Sequence, residues 1–187
     1  MKKLLTTISL ALTLCLSLTT VFAAPSINKN GAVKKDSILI NGEKVDANTT
    51  AAFDSKKETY SAAGVSDETI DVIEKVNANP SQLASLIKGV DLSGYSLLTE
   101  FQDLSVYVNG ELKQKVKNVT LTWEVPNLVK TAKNVKVLHY STERNTWEIL
   151  NPKSVDFDNK TITQEFKDLS PVAVIYQAGD ANANKNG

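Results

Sequence analysis

Lys117-Asn118-Val119-Thr120-Leu121-Thr122-Trp123-Glu124-Val125-Pro126 is the stretch that decides the fold. Val119, Leu121, Trp123 and Val125 alternate with Thr120, Thr122 and Glu124. A period of two places the four apolar side chains on one face of a strand and the polar ones on the other. Pro126 ends the run, because proline cannot donate to a sheet ladder.

The same period extends in both directions. Upstream, Leu104, Val106 and Val108 alternate with Ser105 and Tyr107, and Asn109-Gly110 is a hairpin turn signal. Leu112 and Val116 have the opposite parity to Val119 and Leu121, which predicts a bulge or break near Lys117-Asn118. Downstream, Val135–Ser141, Trp147–Leu150, a strand through Val155 and Phe157, and another through Ile162 and Phe166 are expected. Pro171–Tyr176 is apolar on both faces and reads as a central strand. About seven strands with turns every 8–12 residues predict an immunoglobulin-like antiparallel β-sandwich, without the Cys–Trp–Cys core of antibody domains.

The half before Leu97 reads differently. Ile38–Val45 holds a small hairpin around Asn41-Gly42, and Asp46–Ala63 is ambiguous, with a helical turn around Ala51–Tyr60. Ser66 caps a helix carrying Ile70, Ile73 and Val76 on one face. Asn79-Pro80 starts a second helix with Leu83, Leu86, Ile87 and Val90 in an apolar stripe, ended by Gly89. Two short amphipathic helices need a surface to cover.

The chain has 187 residues, with 21 Lys+Arg against 21 Asp+Glu. Lys2 and Lys3 open a charge-free apolar run ending at Val21-Phe22-Ala23, the layout of a secretory signal peptide cut after Ala23, with Ala24 as second choice. Processing leaves 164 residues (187 − 23) and 19 basic against 21 acidic side chains. That near-neutral balance gives no reason to bind nucleic acid, and no membrane insertion is expected after cleavage. Cys15 leaves with the signal, which excludes disulfides and Cys-based metal or nucleophile chemistry. The expected organisation is a signal peptide (1–23), a flexible leader (24–36), a hairpin and helical segment (37–96), a sandwich (97–177) and a polar tail (178–187). No LPxTG-like sorting signal occurs, so no covalent route to a cell wall is expected.

The run Val135-Lys-Val-Leu-His-Tyr-Ser-Thr-Glu-Arg-Asn-Thr-Trp147-Glu, then Ser154-Val-Asp-Phe and Phe166-Lys-Asp-Leu-Ser-Pro-Val-Ala-Val174, resembles β-sandwich modules in secreted and wall-anchored proteins of Gram-positive bacteria. Lysine supplies 20 of the 21 basic residues, similar to the usage of low-GC bacteria. The resemblance implies a secreted or loosely surface-associated module of unassigned molecular function. It carries no catalytic residue over.

Candidate chemistry is sparse. His139 is the one histidine, and it shares strand parity with Val135 and Val137, which reads as structural. A small secreted hydrolase using His139 with a Ser or carboxylate is the alternative from another class. Asp156-Phe-Asp158-Asn159 opens like a calcium loop, but Lys160, Thr161 and Lys167 stand at positions that need ligands or glycine. Asp180-Ala-Asn182-Ala-Asn184 has alternate oxygens without an acidic clamp. No metal or cofactor is expected. Trp123 and Trp147 read as core, while Tyr107 and Tyr140 are the candidates for a surface patch that would bind a glycan or protein of the envelope. Lys113, Lys115 and Lys117 read as a solvated edge. The expectation is a secreted, non-catalytic binding or structural module, with a carbohydrate-binding or adhesin-like role as a further alternative.

Overall fold

The computed structural model describes residues 27–113 and 115–178. In chain order the strands of the first part are β1 (Leu39–Ile40), β2 (Glu43–Lys44), β3 (Thr49–Asp54), β4 (Tyr95–Leu97), β5 (Gln102–Val108) and β6 (Glu111–Lys113). Those of the second part are β7 (Lys117–Glu124), β8 (Ala132–Ser141), β9 (Thr146–Leu150), β10 (Ser154–Asp156), β11 (Thr161–Asp168) and β12 (Pro171–Ala178). The helices are α1 (Lys57–Ala62), α2 (Asp67–Ala78) and α3 (Leu83–Leu86).

The protein is mainly β, built from two antiparallel sheets. One runs β10-β11-β7-β1-β2; the other runs β3-β5-β12-β8-β9, with β4 on β12 and β6 on β5. The sandwich arises because consecutive strands switch sheets: β7 to β8, β9 to β10 and β11 to β12 all cross between layers. The orders β10-β11-β7 and β9-β8-β12 match an immunoglobulin-type Greek key, with β5 in the place beside β12 that a last strand would take.

Between the sheets, Val119, Leu121 and Trp123 of β7 and Ile162 and Phe166 of β11 meet Val137 of β8 and Val172 and Val174 of β12. Trp123 is fully buried and lies 5.8 Å from the Phe53 ring and 6.2 Å from that of Phe166. A second core covers the other face of the larger sheet. Ile70, Ile73 and Val76 of α2 pack with Leu83 and Ile87 over Leu138, Tyr140, Ala173 and Ile175. Burying each aliphatic side chain contributes about 1.5–3 kcal/mol, far more than the intrinsic helix propensity of a 12-residue element. Apolar residues on both faces of β12 thus have a physical cause: sheet lies on one side and helices on the other.

The local signals hold where they are strongest. Ser66 Oγ accepts from the Thr69 backbone N–H at 3.3 Å and caps α2. Asn41-Gly42 and Asn109-Gly110 both have positive φ (54° and 83°, 54° and 81°), as type I′ hairpins require. Lys115 and Asn118 also take positive φ, where the parity change called for a break.

Several expectations give way to tertiary contacts. Among the described residues, eight strands (β5–β12) follow Leu97, where about seven were expected. The ambiguous stretch after Asp46 forms β3 before α1, because β3 pairs with β5 along its whole length. The second helix stops at Leu86; Ile87 turns extended (φ −85°, ψ 124°) and still buries its side chain. The sandwich is not confined to 97–177, since β1 and β2 join one sheet and β3 and β4 the other.

The leader expected to be flexible is tied down over 27–36. Trp123 Nε1 donates to Asn30 Oδ1 at 3.0 Å, and the Asn30 N–H donates to Gln102 Oε1 at 2.7 Å. Gly31 and Lys34 donate to the carbonyls of Glu124 and Thr122 at 2.7 and 2.8 Å, extending along β7. An indole N–H in an apolar core needs an acceptor, and the leader supplies it. The signal segment with Ala23 and Ala24, and the tail from 179, lie outside the described residues.

Candidate functional site

A cavity of about 160 Å³ opens at one end of the larger sheet. On the β5 side it is lined by Asp103, Leu104 and Ser105, all of them buried. Residues from the end of α1, the β6–β7 connection and the turn after β8 form the walls. The alternation of β5 explains this: Leu104 belongs to the sandwich core, so Asp103 and Ser105 take the opposite face.

Asp103 is completely buried. Its Oδ2 accepts from Ser105 Oγ at 2.7 Å, while no donor among the described residues reaches Oδ1. Burial pushes the Asp103 carboxyl up to about 6, and the charge of Asp54 adds to this against the opposing hydrogen bond from Ser105. Asp54 sits directly across from Asp103 in the β3–β5 register. A buried carboxylate with an unpaired oxygen is a costly group to retain.

Beside this cavity runs a satisfied polar network. Asp168 takes Ser141 Oγ on Oδ2 at 2.9 Å and Arg144 Nη2 on Oδ1 at 2.7 Å. Arg144 also grips Glu148 with two bonds of 2.7 and 3.0 Å. Glu148 Oε2 stands 3.5 Å from His139 Nδ1, and His139 Nε2 lies 2.8 Å from Ser170 Oγ. The Arg144 bonds hold the Glu148 carboxyl below its usual range.

A Ser–His–carboxylate line is therefore present, and its serine and histidine are buried. Ser170 Oγ lies within hydrogen-bond reach of both the Tyr140 carbonyl and His139 Nε2. A proton on Nδ1 would face Glu148, and a proton on Nε2 would face Ser170. His139 is 1% exposed and Ser170 is fully buried, with the imidazole 5.6 Å from the Phe166 ring. Burial pushes the His139 pKa down, against the pull of Asp168 and Glu148.

The other sequence candidates are dispersed. Tyr140 is not a surface residue: it is 8% exposed and packs edge-on against Trp147 at 5.0 Å, because the helical layer covers that face of β8. Tyr107 is half-buried on β5, opposite Thr50 and Leu112. The two tyrosines form no common platform. Trp123 is core, and Trp147 is half-buried against the helical core. Asp156 Oδ1 accepts from the backbone N–H groups of Asp158 and Asn159 at 3.0 and 2.9 Å, closing a turn. Asp180, Asn182 and Asn184 lie outside the described residues. Among the described residues no group of three or more His, Cys, Asp or Glu is placed to hold a metal ion, and no helix is long and apolar enough to cross a membrane.

Of the lysine run, Lys117 pairs with Glu143 at 2.6 Å, while Lys113 and Lys115 line the cavity. Sequence reasoning missed Asp103 and Ser105. In Phe101-Gln-Asp-Leu-Ser-Val106 they read as the solvated face of a strand, and only the coverage from α1 and the β6–β7 connection turns that face inward. No protein-family model, curated protein or solved structure matches the chain.

Proposed function

We propose that this chain is a secreted, non-catalytic β-sandwich module of a bacterial envelope or extracellular space, and that its role is binding. The observation that supports a binding role is the cavity at the end of the larger sheet, lined by the exposed Lys113 and Lys115 and by aliphatic Ala63, Leu112, Val116 and Leu169. Export rests on the cationic start, apolar run and Ala23-Ala24 junction of the first 24 residues. The non-catalytic reading rests on the burial of His139 and Ser170, which are 1% and 0% exposed.

The test is expression of the full chain in a low-GC Gram-positive host, followed by fractionation and N-terminal sequencing. The expected product starts at Ala24 or Pro25, in the medium or loosely held at the surface. An uncut chain in the cytoplasm overturns export.

The hydrolase reading is kept alive by one feature, the Ser170–His139–Glu148 alignment. A fluorophosphonate probe on the folded protein discriminates the two readings. No labelling is expected, and labelling abolished by Ser170→Ala would establish the hydrolase instead.

A further inference from the structure

We infer that the free edge of β3 is an interface with a second copy of this chain, the two β3 strands pairing antiparallel about a two-fold axis at Ala51-Ala52. This goes beyond the binding role proposed above and does not depend on it.

A sheet edge presents a row of unpaired N–H and C=O groups, and folded proteins blunt such rows with short strands, charges, prolines or bulges. Most edges here are blunted in this way. β2 is two exposed residues, Glu43 and Lys44. β4, β6 and β10 have three residues each, and β6 carries Glu111 and Lys113. β9 has Glu148 at its centre, held by Arg144. β3 has none of these devices. It ends the larger sheet, and β5 is its one partner strand among the described residues. The pairing keeps register over all six residues, and Thr50-Ala51-Ala52-Phe53 contains no charge and no proline.

Parity decides which backbone groups face out. The Asn109 N–H donates to the Asn48 carbonyl at 3.0 Å, so Asn48 faces β5. Facing residues alternate along an antiparallel ladder. Thr50, Ala52 and Asp54 therefore also bond to β5, while Thr49, Ala51 and Phe53 turn outward. The Thr49 N–H, which donates to the Asp46 carbonyl at 2.9 Å, agrees with this parity. Among the described residues nothing bonds to the N–H and C=O groups of Ala51 and Phe53.

The strand complements itself. Antiparallel pairing about its centre sets the outward groups of Ala51 and Phe53 against outward groups of the second copy, and the small Thr50, Ala51 and Ala52 side chains let the backbones approach. The flanks match in charge. Exposed Asp46 precedes β3, and exposed Lys56 and Lys57 follow it. Antiparallel pairing brings each acidic flank beside the other copy's lysines. Asp46 and Lys57 have no ion pair of their own among the described residues. The pair also closes, because it uses up the edge of both copies.

Sedimentation velocity on the protein recovered from expression of the full chain, from ~10 µM to ~1 mM, tests the assignment. A six-residue seam falls below the ~1,200 Å² of standard interfaces, so monomer is expected at the low end and dimer at the high end. Ala52 is exposed, so a charge there leaves the fold intact. Ala52→Lys and Ala52→Glu should each weaken self-association by about tenfold or more through like charges across the seam, and their mixture should dimerise again. Amide exchange locates the seam. Ala51 and Phe53 should exchange fast in dilute protein and more slowly by about tenfold in concentrated protein, while Thr50 and Ala52 stay protected in both.

Wild-type protein that remains monomeric at ~1 mM overturns the inference. So does a dimer unaffected by Ala52→Lys, a mixture of the two charged variants that fails to pair, or assembly beyond two copies. Protection of Ala51 and Phe53 in the dilute monomer also overturns it, since the edge would then be covered by its own chain.

Discussion

At the scale of single residues, Asp103 and His139 pull stability in opposite directions with pH. The Asp103 carboxyl is raised from 3.8 to about 6 in the folded protein. Between those values the folded state holds the proton more firmly than the unfolded chain. Its favourable contribution is therefore complete below about pH 4 and lost as pH rises through 6. Asp103→Asn should accordingly raise stability at pH 7 by roughly 1–3 kcal/mol, with the gain shrinking toward pH 4 in urea unfolding series. No gain at pH 7 would show that Oδ1 is satisfied in solution. His139 is lowered from 6.5, so the unfolded chain takes up a proton that the folded protein refuses. Its stabilising effect is present above that pH and withdrawn below it, and Asp168, Glu148 and Arg144 are the charges that face it. His139→Gln should flatten the loss of stability between pH 7 and 5. Asn30→Ala should cost about 1–3 kcal/mol, because it strands the Trp123 indole N–H in the core. Altered Trp123 emission in the native state is the direct readout.

At the scale of elements, the segment before β1 has the most exacting fit. A Cβ on Gly31 would stand 2.7 Å from Glu124 Cβ and 3.0 Å from the Glu124 carbonyl oxygen, so backbone must move. Gly31→Ala should release this segment from β7, at a cost of about 1–3 kcal/mol. The check is faster amide exchange at Gly31 and Lys34, whose N–H groups now bond to β7. Unchanged protection at both positions would refute the pinning. Strands with clean alternation, such as β7, and turns with Asn-Gly were legible in the sequence because their chemistry is local. β3 was not legible. Thr49–Asp54 has weak alternation, and its state follows from β5 lying alongside. The second helix was overread for the same reason. Leu83, Leu86, Ile87 and Val90 have helical spacing, yet Ile87 finds its burial in an extended conformation.

At the scale of the whole molecule, two cores share one sheet. Trp123 reports on the core between the sheets and Trp147 on the core beneath the helices. β8 and β12 contribute to both, through alternate residues. Neither core can dissolve without exposing a face of those strands, so the layers should unfold as one cooperative unit. Trp123→Phe and Trp147→Phe variants leave one reporter each, and their denaturation midpoints should coincide once corrected for each variant's stability. Two separated transitions would mean that the helical layer is an independent unit. The candidate cavity belongs to this scale as well, because its floor, walls and mouth come from β5, α1, the β6–β7 connection and the turn after β8.

The sequence by itself determined the mainly β class, the amphipathic character of α2, the hairpins at Asn41-Gly42 and Asn109-Gly110, and the inward parity of His139 and Trp123. Each of these depends on side-chain period or on the conformational freedom of two or three neighbouring residues. Tertiary structure alone decided that Tyr140 lies under helices, that Asn30 completes the Trp123 site, and that Asp103 is buried. Those outcomes depend on what covers a strand face. The covering segments lie 41 or more residues away in the chain for Asp103 and α1 (103 − 62), and 72 away for Asn30 and Gln102. An alternating strand states which residues share a face, and the packing of distant segments states whether that face meets water, helix or ligand.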